Sequence, residues 1–135
     1  MYLNYLSQRE KRIFLKLSHV ISEADGIVLE NEMRLIHQYA EEMQISPEEM
    51  AEEDVDSILA EISNNSTNKA KRIIFAELLA IALIDDNYEG SEIAFMRKIA
   101  DVLNISPKIE FQISNAVSNY VRACDYMVRV IEKED

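Results

Sequence analysis

The chain is predicted to be all-α, a single-domain bundle, on three observations. Glycine and proline are scarce, two of each in 135 residues, which leaves too little turn chemistry for an all-β fold. Apolar residues, 48% of the chain, recur at helical rather than alternating spacing. The chain also repeats itself. Shifted by sixty residues without gaps, 11–47 matches 71–107 at ten of 37 positions. The identities include Lys11/Lys71, Arg12/Arg72, Ile13/Ile73, Asp25/Asp85, Glu32/Glu92 and the whole of Ile45-Ser46-Pro47 against Ile105-Ser106-Pro107. Two copies are too few for a solenoid, and each has one apolar face to bury. A pseudo-symmetric bundle of two helix–loop–helix repeats follows.

The elements are read in order along residues 1–135. Ser7 with Glu10 is a capping-box pattern that opens a helix running to about Ala24. Met33, Ile36, Ala40 and Met43 have helical spacing over 29–43. Repeat 1 covers about 7–47 and leaves through "ISPEE" (45–49), where Ser46 caps and Pro47 takes the first turn. An acidic helix spans about 48–62, with a break expected near Asp54, and "SNNST" (63–67) reads as a polar linker. Repeat 2 covers about 68–107, with helices at 67–85 and 91–103. The first of these holds Glu77 as its only polar side chain between Ile73 and Ile84, so it is the central buried helix, with Lys, Arg or Tyr expected beside Glu77. A final helix, 107–132, carries an apolar stripe of Ile109, Ile113, Ala116, Tyr120, Cys124, Met127 and Ile131. Cys124 and Met127 are expected to pack in the core, like Met33, Met43 and Met96.

Charge narrows the function. The net charge is −11, with −8 on residues 1–60 and −3 on 61–135. Phosphate backbones repel such a surface, so nucleic-acid binding is not expected, whereas cations or a protein partner are favoured. Cys124 is the only cysteine, which excludes an intrachain disulfide. The start, "MYLNYLSQREKR", lacks the apolar core of a signal peptide, and the longest apolar run is too short for a membrane span. A cytoplasmic location is the expectation; oligomeric state stays open. The run 48–56 holds six acids in nine residues and reads as a solvated face. His19 and His37 precede Glu23 and Glu41 by four residues, as helix-surface pairs do. No phosphate-binding glycine loop, nucleophile elbow or H-E-x-x-H occurs, so no enzyme is expected.

The candidate site is a set of loop carboxylates. Glu32, Ile36, Tyr39 and Met43 share one helix stripe, and Glu92, Met96, Ile99 and Leu103 share another. Each glutamate therefore lies at a helix start on the core side, where a lone charge is costly. Three answers compete: a capping role, a salt bridge from the other repeat's Lys-Arg pair, or a divalent cation held by Asp25 with Glu32 and by Asp85 with Glu92. Hard oxygen donors suit Ca²⁺, Mg²⁺ or Mn²⁺ before Zn²⁺. The loops are not EF-hands: position 12 would be Ile36 or Met96, where a bidentate glutamate is needed.

The segment Ala24-Asp25-Gly26-Ile27-Val28-Leu29-Glu30-Asn31-Glu32 resembles the signature of the TerB-like (tellurite-resistance TerB) family. Asp85-Asp86-Asn87-Tyr88-Glu89-Gly90-Ser91-Glu92 resembles its degenerate partner. The resemblance covers about 7–110. It implies an all-α domain of about seven helices in two related halves, a metal-binding acidic cluster at Asp25, Glu32, Asp85 and Glu92, and a place in bacterial stress response. Leu29 stands where the pattern has a small polar cap, and Asp86 where it has a second glycine.

Overall fold

Four of the five described α-helices begin at a side-chain cap, and the other at a glycine. In the computed structural model, which describes residues 2–23, 37–38, 40–41, 44, 54–84 and 90–134, a 3₁₀ turn at Leu3–Tyr5 leads into α1, Gln8–Glu23. Ser7 Oγ accepts the Glu10 N–H at 3.1 Å, and Glu10 Oε1 accepts the Ser7 N–H at 2.8 Å, closing the predicted capping box. His37, Gln38, Ala40 and Glu41 are helical. Asp54 caps α2, Val55–Asn65, by accepting the Ser57 N–H at 3.0 Å. Thr67 Oγ1 accepts the Ala70 N–H at 3.1 Å at the start of α3, Asn68–Ile84. Gly90 precedes α4, Ser91–Val102. Ser106 caps α5, Pro107–Glu132, with its Oγ 3.3 Å from the Ile109 N–H and proline in the first turn.

The predicted linker at 63–67 shrinks to Ser66 and Thr67, because α2 continues through Asn65. Asparagine is a poor helix former, but Ile58, Leu59 and Ile62 are buried, and Ser63 Oγ reaches the Val102 carbonyl at 2.8 Å. Tertiary contacts override local propensity there. The break expected near Asp54 is the cap of α2; residues 45–53, which carry most of the acidic run, lie outside the described residues.

The central helix is α3, as predicted. It packs on α1, α4, α5 and the 3₁₀ turn, while α1 also packs on α2 and α4, and α2 on α4. The core combines Ile13, Phe14, Leu17 and Ile21 of α1 with Ile74, Phe75, Leu78 and Ile81 of α3, Leu59 and Ile62 of α2, and Met96 and Ile99 of α4. Truncating one such side chain to alanine costs about 2–5 kcal/mol through lost transfer energy and the cavity left behind. Surface ties are weaker. Arg9 grips Glu61 at 2.7 and 2.9 Å and holds its carboxyl below the ordinary value, joining α1 to α2. Lys98 meets Asp56 at 2.6 Å, joining α4 to α2. Exposed pairs of this kind contribute about 1 kcal/mol or less.

After α4 the chain turns through a left-handed residue. Asn104 has φ 55, its N–H meets the Asp101 carbonyl, and the Ile105 N–H meets the Ala100 carbonyl at 2.9 Å. This is a Schellman-type stop, with asparagine where glycine is usual. Gln44, sixty residues earlier, also has positive φ, 56, and its N–H meets the Glu41 carbonyl at 3.1 Å.

The last helix departs from its prediction. Ile109 and Ile113 pack against the core and Val117 is buried, but from Tyr120 onward the stripe is exposed. Met127 is 58% and Ile131 73% exposed, and Cys124 is an exposed free thiol. Cys124 and Met127 are therefore not core residues: the contacts that bury Ile109, Ile113 and Val117 do not extend along the stripe into the distal part of this 26-residue helix. Met96 is buried as expected; Met33 and Met43 lie outside the described residues. Among the described residues no strand occurs, and no helix is long and apolar enough to cross a membrane.

Candidate functional site

Of the four predicted carboxylates, Glu92 can be placed; Asp25, Glu32 and Asp85 lie outside the described residues. Glu92 is buried in the first turn of α4, 3% exposed, on the face that also buries Met96, Ile99 and Ala100. The stripe argument thus located it correctly. Its role as a capping-box acid does not hold: the cap is Gly90, which has no side chain, and Glu92 is the second helical residue rather than the third. The carboxylate still gains from the positive end of α4, and it is engaged by a neighbour. Gly90 has φ 60 and ψ −115, a conformation that L side chains rarely adopt.

Glu77 is 1% exposed in the middle of α3. One carboxylate oxygen accepts the Tyr2 N–H at 2.8 Å, so a tyrosine does meet it, through backbone rather than phenol. The bond spans 75 residues and pins the N-terminal turn onto α3. Among the described residues no three His, Cys, Asp or Glu side chains come together in a metal-holding group. His37 is exposed and His19 is half-buried and engaged.

Two features go beyond the sequence reading. The first is that the distal part of the predicted α5 stripe is exposed. Ile113 and Val117, which meet the core, continue into Tyr120, Cys124, Met127 and Ile131, which are exposed, at alternate spacings of four and three residues, the period of a coiled-coil seam. Val128 and Val130, each 49% exposed, widen it. Tyr120 and Cys124 are one turn apart, and hydrogen bonding with Cys124 is the main reason the Tyr120 phenol is pushed up. The spacing is legible in the sequence; the exposure of Tyr120, Cys124, Met127 and Ile131 is not. The second feature is a small polar pocket of about 120 Å³ where α3 meets the α4–α5 turn, lined by Lys71, Arg72, Asn104 and Ser106 among others.

No protein-family profile, curated protein or solved structure matches this chain.

Proposed function

We propose that the chain is a non-enzymatic, cytoplasmic, TerB-like binding domain built from two copies of one helix–loop–helix unit, with a role in stress response. The duplication is supported by features that recur sixty residues apart. Ser7 and Thr67 both cap, α1 and α3 begin at Gln8 and Asn68, and Gln44 and Asn104 are both left-handed. Buried positions recur as well: Ile13/Ile73, Phe14/Ile74, Leu17/Glu77, Ile21/Ile81 and Ala40/Ala100.

The observation that carries a binding role is the uncovered distal half of α5. Its exposed apolar side chains present on the order of 500 Å² in one stripe, the size of the largest apolar patch on a typical single chain, which is often functional. The occupant we assign is the same stretch of a second copy. A pair would bury about 1,000 Å², the lower bound for a specific interface. Charge agrees: residues 118–134 carry three basic and three acidic side chains, although the whole chain is at −11. Antiparallel pairing over Tyr120–Ile131, about 17 Å of helix, keeps the two acidic bundles at opposite ends, beyond the Debye length of about 8 Å. Sedimentation velocity across micromolar concentrations tests this. Wild type should form a dimer and Met127→Glu/Ile131→Glu should remain monomeric. A monomer in both defeats the self-association reading.

A second reading, a divalent cation at the loop carboxylates, is favoured by the burial of Glu92 where the stripe predicts it. Asp25, Glu32, Asp85 and Glu92 would supply hard oxygen donors for Ca²⁺, Mg²⁺ or Mn²⁺. Calorimetric titration of metal-free protein with each of these ions and Zn²⁺ tests it. Heat should appear in wild type and disappear in Asp25→Asn/Glu32→Gln; no heat with any ion removes the cation.

A further inference from the structure

Two sequence motifs are used by neither reading above: the Lys-Arg pair and the Ile-Ser-Pro exit. In the second half of the chain they meet. Lys71 and Arg72 on α3, Asn104 and Ile105 of the α4–α5 turn, and Ser106 at the cap of α5 line one pocket of about 120 Å³. We propose that this pocket binds a small tetrahedral oxyanion, namely a phosphate group.

Lys71 is only 9% exposed, deep burial for a lysine. The burial is that of the stem: the Lys71 Nζ is not one of the buried, unbonded side-chain atoms among the described residues, so the ammonium reaches the open side of the pocket. It has no carboxylate partner among the described residues, and no carboxylate lines the pocket. Arg72, exposed beside it, also has no carboxylate partner among the described residues. Acids outnumber bases 25 to 14 in this chain, so two adjacent cations without one are unexpected. The buried stem of Lys71 contributes packing, while its charged end belongs to the wall of a polar cavity.

The rest of the wall has the same polarity. α5 is 26 residues long and begins at this pocket, so the positive end of its dipole lies there; Pro107 has no N–H and Ser106 takes those of Ile109 and Glu110, which leaves the Lys108 N–H of the first turn. Backbone N–H groups at a helix start bind phosphates well. Asn104 adds an amide, held by its left-handed backbone. Ser106 Oγ accepts the Ile109 N–H at a long 3.3 Å, and its own hydroxyl hydrogen can turn to a ligand. The volume equals roughly four waters, enough for one tetrahedral anion and too little for a nucleotide. An ammonium, a guanidinium, a hydroxyl and the Lys108 amide form a donor set, and no carboxylate lines the pocket, Glu110 in the first turn of α5 lying outside its lining. The chain's acidity excludes nucleic acid but leaves room for a single phosphoryl group.

Amide chemical shifts of the full chain, followed as inorganic phosphate or methyl phosphate is added at constant ionic strength, provide the test. Saturable shifts should appear at Asn104, Ile105, Ser106 and Lys108. Lys71→Met, which keeps the buried stem, and Arg72→Gln, which is exposed, should each weaken binding about tenfold, the loss expected for a charged hydrogen-bonding partner. Tighter binding of methyl phosphate would identify a phosphomonoester as the occupant, and equal binding free phosphate; both support the site. Shifts that stay linear and equal those from sodium chloride, or affinity unchanged in both variants, would overturn it. Arg72→Gln keeps the test valid if Lys71→Met folds poorly.

Discussion

Glu10 does two jobs with one carboxylate, and removing it tests how α1 is anchored. Its Oε1 accepts the Ser7 N–H at 2.8 Å and completes the box that starts α1. Its Oε2 accepts the Ser66 hydroxyl at 2.6 Å and ties that start to the α2–α3 turn. Hydrogen bonds to a charged group contribute about 1.5–3 kcal/mol each when buried. Glu10 is half-buried, so water recovers part of each, and Glu10→Ala should cost about 1–2 kcal/mol in all. With an unfolding entropy near 2.1 cal/mol/K per residue over this length, that lowers Tm by about 4–7 °C. Glu10→Gln keeps an acceptor and loses the charge, so about half the effect is expected. Burial pushes the Glu10 carboxyl up, but the hydrogen bonds from Ser66 and Ser7 outweigh it and hold the group below its ordinary 4.5. A carboxyl held down contributes stability above its unfolded value and loses it as pH falls through the folded one. The gap between wild type and Glu10→Ala should therefore narrow from pH 7 to about pH 3. Urea unfolding of wild type, Glu10→Ala, Ser66→Ala and the double variant at both pH values is the assay. A gap that widens on acidification, or strict additivity with Ser66→Ala, would refute the reasoning.

Two further outcomes follow. Gly90→Ala should destabilise by about 1–2 kcal/mol, because φ 60 with ψ −115 strains any L side chain, although no heavy atom lies within 4 Å of the added Cβ; an unchanged urea midpoint would contradict this. Glu77→Leu, which places in α3 the residue type found at Leu17, should change global stability by about 1 kcal/mol or less while releasing the Tyr2 N–H. Hydrogen exchange should then quicken through Leu3–Tyr5, and unaltered protection there would show that Glu77 does not hold the N-terminal turn.

What could be read in the sequence was local. Ser7 with Glu10 and Ser106 with Pro107 place helix starts within one residue, because a cap and its acceptor are at most three residues apart. Periodicity found the core face of α4, including the burial of Glu92. It failed where the deciding contact was distant. Asn64 and Asn65 look like linker until Ile62 is seen anchored in the core. Glu77 meets Tyr2 across 75 residues. On α5 the periodicity was real, yet an apolar stripe states only that something should cover it. Placing Cys124 in the core presumes a cover from the chain itself, whereas its thiol is exposed. Three of the four loop carboxylates lie outside the described residues, so the acidic site rests on Glu92 and on the sequence pattern.

The proposed duplication accounts for why function and core share positions here. A slot filled by Leu17 in the first copy is filled by Glu77 in the second, and both are almost fully buried. The slot therefore did not need a carboxylate for packing. The acid meets a demand outside the repeat, the Tyr2 N–H, whereas the residue sixty positions after Tyr2, Ile62, lies inside α2. The Lys-Arg pair diverges in the same way. Lys11 is half-buried and Arg12 is engaged, whereas Lys71 is buried and lines an acid-free pocket against Ser106. Apolar burial and cap positions are what the two proposed copies have in common; the surroundings of their polar slots are what differ. A two-fold bundle keeps its fold through the shared apolar slots, and each copy is then free to use its few polar slots for a different ligand or contact.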